Sequence, residues 1–194
     1  MGADGVELDE GNNGNIVADI SGALFDSNGE YCNLVIVFDG GPCDDEGDRD
    51  VDDGFDIDEA GPGSLFARVT DSIVSNNFDE GLDFDTQDAG GVQIYLANVM
   101  ASGNQDEGFK VSEEGSGDVK VWLSALTSVD NNGAKEGVEI EEEDGGDVNV
   151  IVHNSNMIGG GSEELKISQA DDGIGTVSVS DSNVVLDTEN VIQQ

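Results

Sequence analysis

Apolar and polar residues alternate along this chain in short bursts, and the bursts return at a fixed interval. One phrase marks the interval: two acids, a glycine, then apolar, charged, apolar. It reads Asp52-Asp53-Gly54-Phe55-Asp56-Ile57, then Asp79-Glu80-Gly81-Leu82-Asp83-Phe84, then Asp106-Glu107-Gly108-Phe109-Lys110-Val111. With a lysine leading, it returns as Lys135-Glu136-Gly137-Val138-Glu139-Ile140. The glycines at 54, 81, 108 and 137 are spaced by 27, 27 and 29 residues. Fainter copies stand at Asp4-Gly5-Val6-Glu7-Leu8 and Glu163-Glu164-Leu165-Lys166-Ile167. Alternation of period two predicts strands, and a fixed period of this size predicts stacked repeats.

Each period predicts two clear strands and a weaker third. The first follows the glycine and sets Phe55/Ile57, Leu82/Phe84, Phe109/Val111, Val138/Ile140 and Leu165/Ile167 on one face. Asp56, Asp83, Lys110, Glu139 and Lys166 fall on the other. The second runs through Leu65–Val69, Val92–Leu96, Val119–Leu123, Val148–Val152 and Gly175–Val179. The third includes Ile73-Val74, Val99-Met100, Leu126, Met157-Ile158 and Val184-Val185. Three short strands per turn with no helical periodicity predict an all-β parallel β-helix of about six rungs, each adding about 4.8 Å. An antiparallel sandwich is the rival, but equal repeats with one strand order argue against it.

The chain resembles the right-handed parallel β-helix proteins of the pectate-lyase-like group, over nearly its whole length and at the level of fold. Asn77, Asn104 and Asn131 look like the polar ladder those proteins stack at a corner. The resemblance implies one solenoid domain spanning 1–194. The first turn departs from it: Gly5 to Gly54 is 49 residues, and the excess is an insertion at 29–50. Cys32 and Cys43 both lie in this insertion. Paired, they imply an oxidising compartment; two unpaired loop cysteines are the alternative.

Charge changes the picture next. Six Lys and Arg stand against 44 Asp and Glu, a formal net charge of −38. Such a surface repels nucleic acid and anionic membranes and attracts cations. Disorder is the usual companion of such charge, but the repeat argues against it. The start has neither the basic residues nor the apolar run of a signal peptide, and no apolar run is long enough to span a bilayer. We expect an extracellular or cell-surface module, or the cytoplasm of a halophile, and a piece of a longer chain or a rod whose ends associate with another copy.

Stacking turns repeat positions into columns. The acids before each glycine, Asp53, Glu80, Glu107, Glu136 and Glu163, form one column with neighbours about 5 Å apart. Like charges at that spacing repel by about 1 kcal/mol in water. Bound cations, screening salt or protonation must offset this. Oxygen-only ligands favour Ca²⁺, and Asp44, Asp45, Asp48, Asp50, Asp52, Asp53, Asp56 and Asp58 are the expected metal ligands. The stretch from Asp48 to Glu59 resembles an EF-hand loop at positions 1, 3, 5 and 12, but Asp53 stands where that loop needs glycine.

Catalysis finds less support. The pectate-lyase-like group includes polysaccharide lyases and hydrolases, and its lyases use a basic residue with Ca²⁺. Here bases are few and the charge opposes an acidic polymer. Carboxylates are too abundant for any pair to identify a glycosidase. The single His153 has no Ser or Cys partner that the sequence can place beside it, and reads as a surface histidine flanking a turn. Tyr95 and Trp122 occupy equivalent outward slots on successive rungs. They cover a flank or stack on a neutral sugar. The expected function is a non-catalytic structural or adhesive module, Ca²⁺-binding or salt-adapted, with a carbohydrate-active β-helix as the alternative.

Overall fold

The alternating segments do become strands, three to a turn, each paired in parallel with its equivalent one repeat away. The computed structural model describes residues 4–29, 53–131, 136–161, 163–170 and 172–194. The first coil holds β1 (Glu7–Glu10), β2 (Ile16–Ser21) and β3 (Leu24–Asp26). The second holds β4 (Phe55–Glu59), β5 (Leu65–Thr70) and β6 (Ile73–Ser75). The third holds β7 (Leu82–Thr86), β8 (Val92–Ala97) and β9 (Met100–Ser102). Next come β10 (Phe109–Glu113), β11 (Val119–Ser124) and β12 (Thr127–Val129), then β13 (Val138–Glu142), β14 (Val148–His153) and β15 (Asn156–Ile158). The last strands are β16 (Leu165–Gln169), β17 (Gly175–Ser180), β18 (Leu186–Glu189) and β19 (Val191–Gln193).

The strands form three parallel sheets, β1-β4-β7-β10-β13-β16-β18, β19-β17-β14-β11-β8-β5-β2 and β15-β12-β9-β6-β3. This is a parallel β-solenoid, and no helix occurs among the described residues. Its regular part, β4 to β16, spans four turns of 27 to 29 residues, fewer than the six rungs the repeat count suggests. Outside them the register lengthens or shortens: Asp53 bonds Asp4 across 49 residues, and Asn190 bonds Gln169 across 21.

The core follows from the alternation. Inward residues of all three sheets stack along the axis, including Ile57, Phe84 and Val111 from the first and Ile94, Val121 and Val150 from the second. Phe55, Phe84 and Phe109 pack ring against ring with centroids 5.8–6.0 Å apart.

Three corners join the sheets. Between the second and third, one residue per turn bends the chain in the left-handed region: Asp71, Asn98, Ala125, Asn154 and Asp181, with φ of 49–54°. After the third sheet comes the asparagine ladder. The Nδ2 groups of Asn28, Asn77 and Asn104 donate to Oδ1 of Asn77, Asn104 and Asn131, each at 2.8 Å. Backbone N–H groups of the same three residues donate to the same oxygens at 3.1–3.2 Å. The ladder thus includes Asn28 as well as the three asparagines the sequence suggests.

The corner between the first and second sheets holds a column the repeat phrase does not reveal. Glu10, Glu59, Thr86, Glu113, Glu142 and Gln169 are in register from rung to rung. From Glu59 onward they are buried. Glutamates here turn back to accept N–H groups of the following turn: Gly115 donates to Glu113 at 3.1 Å and Gly146 to Glu142 at 2.7 Å. The turn closes on glycines at 63, 90, 117 and 146. A Cβ on Gly117 would overlap the carbonyl oxygen of Gly90, so the rungs approach too closely for any side chain.

Candidate cation-binding site

The acid column lies at the corner leading into the first sheet. Asp53, Glu80 and Glu107 are buried, while Glu136 and Glu163 are half-buried. The column is therefore not a solvated acidic face. The adjoining positions Asp56 and Asp83, expected on the outer face of the first strand, are also only 2% and 1% exposed. The side chain of Lys110 reaches Asp83, with Nζ 3.0 Å from Oδ2 and 3.2 Å from Glu80 Oε1.

Part of the column is backbone architecture. The N–H of Asp53 donates to Asp4 Oδ1 at 3.0 Å, and that of Glu80 to Asp53 Oδ1 at 2.7 Å. Each of these carboxylates caps the strand start one rung away. Among the described residues, Lys110 neutralises the column as described, and Lys166 pairs with Glu139 and, at 2.9 Å, Glu141 on the adjoining strand.

Three groups of carboxylates place one ligand atom each within 4.8 Å of the others: Asp9–Asp56–Asp58, Asp53–Glu80–Asp83 and Glu107–Glu136–Glu139. Oxygens sharing a Ca²⁺ at 2.3–2.6 Å lie no more than about 5 Å apart, so all three spans suit such an ion. The second group already meets the Lys110 ammonium. In the third, Glu107 Oε1 is buried without a hydrogen-bond partner. Burial, reinforced by the charges of Asp106 and Glu80, pushes the Glu107 carboxyl up to about 8. Burial also raises Asp83 well above the usual carboxylate range, with Asp85 and Glu80 adding and Lys110 opposing.

The expected metal ligands Asp53, Asp56 and Asp58 therefore stand in these groups, as do Glu80, Glu107 and Glu136 of the column. Asp44, Asp45, Asp48, Asp50 and Asp52, and the cysteines Cys32 and Cys43, lie outside the described residues. Glu163 pairs with Glu136 through a backbone bridge but joins no group. The EF-hand analogy fails at its last ligand. Glu59 is interior and accepts the Gly61 N–H at 3.2 Å.

Tyr95 and Trp122 are directly opposite each other on β8 and β11. With Phe66, Arg68, Gln93 and Val17 they line an open groove of about 280 Å³. Arg68 lies 5.7 Å from the Tyr95 ring centre and 3.2 Å from Asp19. A further contact was not legible: Ser180 Oγ lies 3.0 Å from His153 Nδ1, and Asp181 3.8 Å from that same nitrogen. A nucleophilic triad needs its serine and acid on opposite ring nitrogens, so this trio does not form one.

No protein-family profile matches the chain, and neither a curated protein nor a solved structure matches it. No helix among the described residues is long and apolar enough to cross a membrane.

Proposed function

We propose that this chain is a non-catalytic structural or adhesive module, secreted or on the cell surface, whose rigid acidic rod is held by cations. The supporting observation is the crowding of carboxylates along one corner, Asp53, Glu80, Asp83, Glu107, Glu136 and Glu139, in groups within 4.8 Å. Lys110 and Lys166 answer only part of that charge. Ca²⁺ fits the oxygen-only chemistry. Adaptation to high salt, including in a halophile's cytoplasm, would meet the same repulsion by screening. The outermost strands of the first sheet, β1 and β18, are where another copy would add in end-to-end association. The charge disfavours nucleic acid and anionic membrane as partners.

Thermal unfolding in EDTA, in millimolar Ca²⁺, and in molar NaCl with EDTA tests this reading. A gain with Ca²⁺ that NaCl does not reproduce indicates bound ions. A gain only in NaCl indicates screening. No gain in either defeats the reading.

The groove beside Tyr95 and Trp122 favours a second reading: a carbohydrate-active β-helix that binds or cleaves a neutral glycan. Rings one rung apart offer stacking faces, and Gln93 and Arg68 beside them offer hydrogen bonds. Binding or reducing-sugar release lost on Trp122→Ala would establish it. Silence across a panel of neutral glycans would end it.

A further inference from the structure

We propose that Glu107, Glu136 and Glu139 form a binding site for a single Ca²⁺ ion, at the one regular step that is lengthened to 29 residues. This inference rests on the cation-held rod and names its specific site. Three observations support it.

The first is geometry. One carboxylate oxygen from each residue lies within 4.8 Å of the others, a span that an ion bonded at 2.3–2.6 Å can bridge. Two rungs contribute, so the ion would tie consecutive coils together.

The second is the state of Glu107. Its side chain is 2% exposed, yet Oε1 has no hydrogen-bond partner. A buried, unmatched carboxylate oxygen costs free energy unless something binds it. The equivalent acids one and two rungs earlier are engaged: Asp53 accepts the Glu80 N–H, and Glu80 meets Lys110. Among the described residues no basic side chain ion-pairs with Glu107 or Glu136. Lys166 touches this group only at Glu139.

The third is a break in the backbone pattern at this place. Gly54, Gly81 and Gly137 each donate to the carbonyl of the acid just before the equivalent position one rung on: Glu80 before Gly81, Glu107 before Gly108 and Glu163 before Glu164. Gly108 instead donates to Gly137 at 2.8 Å. Ca²⁺ takes six to eight oxygens in flexible geometry, so carboxylates, carbonyls and waters together suit it better than they suit Mg²⁺.

The test is calorimetric titration of the whole chain, freed of metal with EDTA and desalted, with CaCl₂ alone. Glu107→Gln and Glu136→Gln are compared with wild type and with Glu114→Gln, a change in an exposed turn. Circular dichroism checks that each variant keeps the wild-type strand signal; the half-buried Glu136 provides a readout if the core substitution at Glu107 misfolds. We expect one Ca²⁺ per chain at this site in wild type and Glu114→Gln, at least tenfold weaker binding in both site variants, and weaker binding of MgCl₂. Wild-type affinity in folded Glu107→Gln and Glu136→Gln would overturn the site while leaving the cation-held rod intact. So would Ca²⁺ binding that molar NaCl abolishes. If neither Ca²⁺ nor NaCl changes stability, the broader reading fails with it.

Discussion

Replacing Glu113 with glutamine should stabilise the rod at neutral pH. Glu113 is 0% exposed and stacks between Thr86 and Glu142 in the interior corner. One oxygen accepts the Gly115 N–H at 3.1 Å, and Oε2 has no partner. Burial pushes its carboxyl up to about 7 from an ordinary 4.5; the Glu142 and Asp144 charges add to this, and the N–H groups of Gly117 and Gly115 oppose it. The folded state therefore holds this proton more tightly than the unfolded chain does. Below about pH 4.5 both states are protonated and nothing is lost; as pH rises to about 7 the unfolded state releases its proton first and stability falls. The full difference amounts to about 3 kcal/mol. Glutamine carries no charge to bury, and its amide oxygen still accepts the turn N–H. Gln169 already occupies an equivalent place two rungs on.

Urea unfolding followed by Trp122 fluorescence, on β11 of the same coil, measures the effect at constant high salt in EDTA. The advantage of Glu113→Gln over wild type should be near zero at about pH 4.5 and grow to about 2–3 kcal/mol by about pH 8, after allowing for a weaker hydrogen bond. A difference that stays flat with pH, or a variant less stable than wild type at pH 8, would refute the buried-carboxyl reasoning.

Lys110→Met should cost about 3 kcal/mol near neutral pH, because Glu80 and Asp83 lose the ammonium that compensates their burial; the cost should shrink as acid protonates Asp83, read by the same urea titration at two pH values. Asn104→Ala removes the acceptor for two Asn77 donors and the side-chain donor to Asn131, while the backbone N–H of residue 104 stays in place. It should cost about 3 kcal/mol and lower the melting temperature measured by circular dichroism. Ala125 sits at φ 52°, where its neighbours in the column are Asn98 and Asn154. Ala125→Gly should therefore raise stability by about 0.5–1 kcal/mol despite glycine's greater freedom when unfolded, measured in the same melt.

Much of the architecture was legible because stacking preserves sequence spacing. Phe55, Leu82 and Phe109 recur at equal steps, so their strands must pair in parallel and in register, as β4, β7 and β10 do. Asn77, Asn104 and Asn131 were legible as a ladder for the same reason. The interior corner was not. Glu113-Glu114-Gly115-Ser116-Gly117 reads as a solvated turn, since a glutamate beside another acid and two glycines carries no sign of burial. Its signal was the recurring spacing of glutamate to glycine four residues on, Glu10 to Gly14, Glu59 to Gly63, Glu113 to Gly117 and Glu142 to Gly146. The outward column also misled: alternation assigns Asp83 to the side away from the core, but cannot show a lysine from the next rung covering it.

The same stacking explains why so acidic a chain can fold as a rod, and where its chemistry concentrates. A carboxylate above a carboxylate is unfavourable, so each rung needs a local answer. Asp4 and Asp53 use backbone N–H groups from the next rung. Glu80 and Asp83 use Lys110, and Glu139 and Glu141 use Lys166. Gln169 replaces a charged member of the interior column with a neutral amide that donates to Glu142. These solutions explain carboxylates without invoking a ligand. Glu107 is different: its position is set by the repeat, the acids one and two rungs earlier are engaged, and its buried Oε1 is not. A cation there would complete for this rung what an N–H or a lysine supplies elsewhere. That makes the interruption in an otherwise regular pattern more informative than the total negative charge, which screening salt alone could accommodate.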